Sequence, residues 1–185
     1  VVQNRNGGLY DKFRNRLMLP VIDTRGDVVA FGSRVLDKSE PKYMNSSETP
    51  VYSKRRVLYG LNLAKKSKRP NIILCEGNLD IVTLHQAGFD NAVASMGTAL
   101  TVEQTRLLSR FTKELVLCYD NDNAGKIATE RALQILNGSE FSVKVLQLPR
   151  RLVDGEYIKQ DADDFIKFQG PDAFERLLNG SENGV

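Results

Sequence analysis

The sequence predicts an α/β chain: a parallel sheet of about four strands flanked by helices, preceded by a smaller, basic lobe of mixed α/β structure. Three observations carry that expectation. From Pro70 onward, short apolar runs (NIILC, NAVAS, ELVLC, FSVKV) alternate with helix-length stretches, the pattern of βαβ units. Before Pro70, two apolar runs instead flank a tight turn and are followed by polar segments. Charge is also divided unevenly: residues 1–69 carry 15 Lys and Arg against 6 Asp and Glu, and residues 70–185 carry 11 against 17. The expected organisation is a basic lobe over 1–69, the sheet domain over 70–150, and an auxiliary acidic motif with C-terminal helices over 151–185.

The 185 residues, 41% hydrophobic and 26% charged, suit one compact domain or two small lobes sharing a core. No apolar run approaches about 18 residues, so no membrane span is expected. The polar N-terminal stretch VVQNRNGGLYDKFRNR lacks an initiator Met and any secretory pattern, as in a fragment of a longer protein. Cys75 and Cys118 each end an apolar run, there is no CxxC pair, and His85 is the single histidine. No Cys/His zinc site is expected in this fragment, and a reducing compartment fits.

Taken in order, residues 15–36 predict a β-hairpin about Asp23-Thr24-Arg25-Gly26, with Gly where positive φ is needed. Residues 37–56 are polar and loop-like. VLYGLNLAKKSKRP predicts a helix ended by Pro70, its KKSKR run being either a solvated helix end or a nucleic-acid patch. NIILC then predicts the first parallel strand, Leu79 to Ala87 a helix stopped by Gly88, and NAVAS the second strand. Thr101 to Phe111 predicts a helix capped by Thr101, with Glu103 favourably placed against the helix dipole. ELVLC is the third strand, Ala124 to Leu136 a helix ended before Gly138, and FSVKV the fourth strand. Short helices are expected around Asp164–Phe168 and Asp172–Leu178.

Ligands of such sheets bind beyond the carboxyl ends of the strands. Glu76 follows the first strand, Asp120 and Asp122 the third, and Asp161 and Asp163 the fourth, so all five are expected at one edge. Clustered carboxylates repel one another, and a hard dication with oxygen ligands relieves that repulsion. Taken singly, Asp120 and Asp122 also fit a helix cap, and Asp161 to Asp164 an N-terminal cap cluster. Asp80, four residues after Glu76, is expected either to face the same site or to oppose the helix dipole; His85 is expected to lie away from it. An EF-hand starting at Asp120 fails, because Ala124 and Arg131 occupy ligand positions.

EGNLD, YDNDNAG and DADDF, each after a parallel-strand pattern, resemble the Toprim fold shared by bacterial primases, topoisomerases, OLD-type nucleases and RecR-like proteins. The basic half narrows the resemblance. YDKFRNRLMLPVIDTRGDVVAFGSRVL and PKYMNSSETPVYSKRRVLYGL, together with SMGTALT, resemble the RNA polymerase core of bacterial DNA primases of the DnaG type. The resemblance implies template-directed synthesis of RNA primers on single-stranded DNA from NTPs, with Mg²⁺ or Mn²⁺. It implies Glu76, Asp120 and Asp122 as principal metal ligands, Asp161 and Asp163 as an auxiliary pair, and Asp80 as the second acid of EGxxD. Arg34, Lys42, Tyr43, Asn45 and Lys54 correspond to a wall that meets nucleotide phosphates and nucleic acid, and Arg14 and Arg16 to template-contacting arginines. It further implies a cytoplasmic place in the bacterial replisome and a replicative helicase bound through a C-terminal domain absent here.

The chain departs from the family pattern at Asn78 and Leu79 (usually an aromatic and Met), at Asn121 (usually Gly) and at Ala162 (usually Pro), and PRRLVDGEYIKQ is a long loop. A divergent member, as from a phage or mobile element, is one reading of these changes. Two other functions compete: Toprim-type nuclease or topoisomerase-like cleavage, for which no nucleophilic Tyr domain is apparent, and a nucleic-acid-binding module with weak catalysis.

Overall fold

The computed structural model describes residues 1–180 and the backbone of Glu182–Asn183. Its first part is a set of antiparallel strands. β1 (Val2–Gln3) pairs with β2 (Leu9–Tyr10), and β3 (Arg16–Ile22), β4 (Val28–Val35) and β5 (Tyr43–Asn45) form a three-stranded sheet. The β3–β4 hairpin follows the expected turn. Asp23 Oδ1 accepts hydrogen bonds from the backbone N–H groups of Arg25, Gly26 and Asp27 at 2.8, 3.1 and 3.1 Å, and Gly26 has φ of 101°. The segment expected as loop contributes β5, which pairs Gly32 with Asn45 and Arg34 with Tyr43.

The helix expected over residues 57–69 is corrected to one turn, α1 (Leu61–Ala64). Gly60 sits at φ of 82°, outside the right-handed helical region, and Tyr59 makes an antiparallel bridge to Ala94. The first half of the segment is therefore held as extended chain. Its basic end is also tied down: Lys65 Nζ donates to the Thr24 carbonyl at 2.5 Å, and the Arg69 guanidinium grips Glu175 at 3.0 and 3.2 Å.

Next come β6 (Asn71–Cys75), α2 (Asn78–Gln86), β7 (Ala92–Ala94), α3 (Val102–Leu108), β8 (Glu114–Leu117), α4 (Asn123–Leu136) and β9 (Ser142–Val145). The chain ends with a hairpin of β10 (Arg151–Val153) and β11 (Glu156–Ile158), then α5 (Ala162–Gln169), α6 (Pro171–Asn179) and β12 (Glu182–Asn183). β9, β8, β6 and β7 form the parallel sheet in that order, and β12 adds to β9 antiparallel at the edge. This is the expected four-stranded parallel sheet.

The unbroken apolar runs arise because the sheet is covered on both faces. Alternate residues feed two cores. Ile72, Leu74, Leu115 and Leu117 pack on one face with Leu61, Leu108, Ala132 and Leu136 of α1, α3 and α4. Ile73, Cys75, Val116 and Cys118 pack on the other with Ile81, Leu84, Phe165 and Phe174 of α2, α5 and α6. The expected cap of α3 is present as a reciprocal pair: Thr101 Oγ1 accepts from Gln104 N–H at 3.0 Å, and Gln104 Oε1 accepts from Thr101 N–H at 3.1 Å.

Candidate functional site

Five acids from three turns are brought together, the first of them because β6 and β8 are neighbours and their carboxyl ends finish level. Leu74 pairs with Leu117, so Glu76 and Asp120 emerge side by side, and Asp120 N–H donates to Glu76 Oε1 at 3.3 Å. α4 lies hard against this edge. A Cβ on Gly125 would overlap the carbonyl oxygen of Asp120, so only Gly fits in the first turn of α4. α5 then carries Asp161 and Asp163 to the same edge. A cleft of about 260 Å³ results, lined by Glu76, Asp80, Asp120, Asp161 and Asp163 on one side and by Ser33, Tyr43 and Asn45 of the basic lobe on the other.

Each carboxylate has a distinct environment. Asp80 is buried, 6% exposed, and spans the site: its Oδ2 accepts from Gly77 N–H at 3.2 Å and its Oδ1 from Asp163 N–H at 3.1 Å. It therefore both faces the cleft and caps α2. Burial, then the charge of Asp161, pushes its pKa up to about 7. Burial likewise raises Glu76, with Asp120 adding repulsion, and raises Asp120 and Asp161. Asp122 differs. It does not line the cleft; it caps α4, accepting from Gly125 N–H at 2.8 Å, and its other oxygen accepts from Lys159 Nζ at 2.7 Å, which lowers its pKa.

Asp161 caps α5 by accepting from Asp164 N–H at 2.8 Å, so here the cap and the cluster coexist. Asp163 is held by Thr83 Oγ1 and by Lys167 Nζ, the latter at 2.5 Å. The one group of three metal-capable side chains whose ligand atoms lie within 4.8 Å of one another, among the described residues, is Asp161, Asp163 and Asp164.

The basic wall is only partly gathered. Tyr43 and Asn45 line the cleft, and Asn45 Nδ2 donates to the Met96 carbonyl at 3.3 Å, tying β5 to the loop after β7. Arg34 donates to the Tyr43 hydroxyl at 2.7 Å, and Lys42 Nζ stands 5.6 Å from the centre of the Tyr43 ring. Arg34 and Lys42 line an adjoining recess with Asp37 and Glu40. Arg14 is exposed, 5.2 Å from the Tyr10 ring; Arg16 donates to the Pro41 carbonyl at 2.7 Å. Lys54 is half-buried on the segment leading to α1, where its N–H donates to Glu48 at 2.8 Å and its carbonyl accepts from Gln104 at 3.0 Å. None of Arg14, Arg16, Arg34, Lys42 and Lys54 lines the acidic cleft.

Four residues were not expected here. Asp164 completes the converging trio, and its place one turn into a helix after Asp161 was legible in DADDF. Lys167 follows Asp163 at helical i,i+4 spacing, also legible. Asn121 donates through Nδ2 to the Leu148 carbonyl at 2.9 Å, fixing the Asp120–Asp122 loop to the exit of β9. Lys159 reaches both acids, Asp122 at 2.7 Å and Asp120 at 3.7 Å. Its arm is the long loop of the sequence, folded as β10–β11 about Asp154 and Gly155, which have φ of 49° and 84°. Two successive positive φ values make the right-twisting hairpin turn that an Asp-Gly pair favours, the signal that marked this hairpin. His85 lies away from the cleft, its Nε2 2.8 Å from the Ala92 carbonyl.

Residues 1–65 match the family described as DNA primase catalytic core, N-terminal domain, and residues 73–166 the family described as Toprim-like. The DNA primase of Clostridium acetobutylicum is 45% identical over 186 residues, covering 100% of this chain and 29% of that protein. A DNA primase domain from Pseudomonas aeruginosa superposes with a TM-score of 0.86 at 39% identity, over 98% of this chain and 56% of that one. A DnaG primase catalytic domain bound to ssDNA gives a TM-score of 0.87 at 38% identity, over 98% of this chain and 58% of that one. The chain spans about three-tenths of the length of the curated relatives it matches.

Proposed function

The chain belongs to the bacterial DNA primase family, as a segment of the catalytic core with a Toprim-like part, and from that premise we propose that it synthesises short RNA primers on single-stranded DNA. The reaction is nucleotidyl transfer: the primer 3′-hydroxyl attacks the α-phosphate of an incoming NTP, and pyrophosphate leaves. The observation that carries this reading is the cleft itself, with buried and half-buried acids from the ends of β6 and β8 and the starts of α2 and α5 facing Tyr43 and Asn45 of a basic lobe.

The acids suit a hard dication. The donor set is all carboxylate, and burial and mutual repulsion make Glu76, Asp80, Asp120 and Asp161 hold protons more tightly than free carboxylates do. A dication removes that unfavourable charge, and Mg²⁺ or Mn²⁺ prefers such oxygen ligands. We assign Glu76, Asp120 and Asp122 as principal ligands, and Asp161 and Asp163, with Asp164 beside them, as the auxiliary set. When bound, the ion supplies neutralising charge to the phosphates undergoing transfer. Asp80 acts through backbone, fixing the turn after Glu76 to the start of α5.

On the opposite wall Arg34, Lys42 and Asn45 receive the triphosphate, and the Tyr43 ring offers a face to the nucleotide. Arg14, Arg16 and Lys54 lie beyond the cleft, where they meet the phosphate backbone of the template. The neighbour bound to ssDNA supports that template. Residues 1–69, 70–150 and 151–185 then divide into nucleic-acid wall, acid-bearing sheet, and auxiliary acids with their helices. Engagement of a replicative helicase through a further C-terminal domain, in the bacterial cytoplasm, completes the proposal.

The test is incubation with single-stranded DNA, NTPs and Mn²⁺. Short RNA products that disappear in Asp120→Ala support the reading. Nicking of DNA without NTPs would point to Toprim-type cleavage, and binding with neither activity to a binding module.

A further inference from the structure

Lys159 is the basic side chain that pairs with the acids after β8. Its ammonium lies 2.7 Å from Asp122 Oδ2 and 3.7 Å from Asp120 Oδ2, so it bridges two carboxylates that start from the end of one strand. The side chain is 58% exposed, against 28% and 31% for its two partners. The root of its arm is fixed. Gln160, the next residue, is 2% exposed and donates through Nε2 to the Pro149 carbonyl at 2.6 Å, closing the base of the β10–β11 hairpin. Asn121, between the two acids, donates to the Leu148 carbonyl at the hairpin's other foot. Loop and arm are thus tied at their bases by side-chain amides bonded to backbone carbonyls, and the lysine tip crosses to the acids.

We propose that Lys159 is a built-in counter-ion, holding the place of a dication between Asp120 and Asp122 and leaving it when the ion enters. The inference rests on the assignment of these acids as metal ligands. An ammonium and a dication sharing one carboxylate pair repel each other, so loading of one requires withdrawal of the other. A single exposed ammonium is a weak partner, worth about 1 kcal/mol or less, so it yields to a doubly charged ion. Its presence keeps the acids from facing each other unpaired when no ion is bound, and it lowers the apparent affinity for the ion. The freed ammonium is then available to phosphate oxygens entering beside the metal.

The experiment measures Mn²⁺ binding directly, by loss of the free-ion electron paramagnetic resonance signal at fixed ionic strength, for the chain and for Lys159→Met, Lys159→Arg and Asp120→Asn. Lys159→Met is expected to bind Mn²⁺ about 2- to 5-fold tighter, equivalent to about 0.4–1 kcal/mol. Lys159→Arg should stay near the parent affinity, and in EDTA Lys159→Met should melt below the parent. Unchanged or weaker binding by Lys159→Met, with Asp120→Asn still weakened, overturns the counter-ion and leaves the metal assignment standing. Equal binding by the parent and Asp120→Asn overturns that assignment and the counter-ion with it.

Discussion

The backbone N–H of Asp163 donates to Asp80 Oδ1 at 3.1 Å, joining the first turn of α5 to the first turn of α2 across 83 residues of sequence. The other oxygen of Asp80 accepts from Gly77 N–H at 3.2 Å. One buried side chain thus aligns the loop bearing Glu76 with the helix bearing Asp161, Asp163 and Asp164. Asp80→Ala leaves two donors without their acceptor, at about 1–3 kcal/mol of stability. We expect a lower melting temperature and a loss of primer synthesis larger than the loss of fold explains, read from activity at a temperature where the variant is fully folded. Full activity in a folded variant would remove Asp80 from the positioning role.

The same residue sets a pH dependence whose sign can be worked out. Its folded pKa, about 7, lies above its ordinary value of 3.8, so between those values the folded state binds more protons than the unfolded one. Stability then falls as pH rises through that window, by at most about 4 kcal/mol for this group. Glu76, Asp120 and Asp161 are raised in the same direction. In EDTA the cluster's contribution to stability should be greatest near pH 4 and smallest above pH 7. Asp80→Asn, which removes the charge and keeps one of the two acceptor oxygens, should gain on the parent steadily as pH rises from 4 to 8, and Mn²⁺ should restore the parent at pH 8. A parent that gains on Asp80→Asn with rising pH in EDTA would contradict the sign.

Gly125 tests the packing that places Asp120. A methyl group there meets the Asp120 carbonyl, which cannot swing away because β8 and α4 are both held in the sheet layers. Gly125→Ala should cost about 1–3 kcal/mol or more by overpacking. Retreat of α4 would also weaken the cap from Asp122. Thermal unfolding checks the first effect. Mn²⁺ affinity checks the second, since Asp122 moves with the helix.

How far the sequence revealed this arrangement can be judged from particular residues. NIILC and ELVLC were legible as buried parallel strands because the sheet is covered on both faces and spares no polar alternation. Glu76 and Asp120 were legible because an acid ending an apolar strand is costly to bury without a role. The helix over 57–69 was misjudged because a left-handed Gly60 and a bridge to Ala94 override a favourable composition. That bridge is a tertiary contact with no local signal. Asp122 shares its spacing with Asp120, yet turning into α4 carries it out of the cleft lining, a change of direction over two residues that spacing does not encode. Lys159 lies in a stretch that reads as a long loop, and its reach to Asp122 depends on a hairpin whose one local signal is the Asp154-Gly155 turn.

Asn121, between Asp120 and Asp122, has side-chain work that Gly cannot do. It donates to the Leu148 carbonyl at 2.9 Å. Asn121→Gly should therefore cost about 1 kcal/mol in stability by loss of that bond and by greater freedom of the unfolded chain. It should leave primer synthesis within a few fold of the parent, because both aspartates keep their backbone positions. Abolished synthesis in a folded Asn121→Gly would show that the tether to β9 is required for the site.

The Tyr43 hydroxyl ties β5 to β4 within the basic wall. It accepts from Arg34 at 2.7 Å, and burial raises its pKa, with the negative charges of Asp161 and Asp80 acting in the same direction. Tyr43 is nevertheless 50% exposed and lines the cleft, with Arg34 and Lys42 standing 5.4 and 5.6 Å from the centre of its ring. Two roles separate by substitution. Tyr43→Phe retains the ring and releases the Arg34 guanidinium from its partner. Tyr43→Ala removes the stacking face as well. If the ring carries nucleotide or template stacking, worth about 1–3 kcal/mol per base, Tyr43→Phe should raise KM for NTP only slightly and Tyr43→Ala by ten-fold or more. If the hydroxyl instead fixes Arg34 for the triphosphate, Tyr43→Phe should already raise KM as far as Arg34→Ala does. Steady-state primer synthesis at varied NTP concentration, at pH 7.5 where the hydroxyl is neutral, separates the two. The place of the half-exposed ring in the cleft lining favours the first outcome.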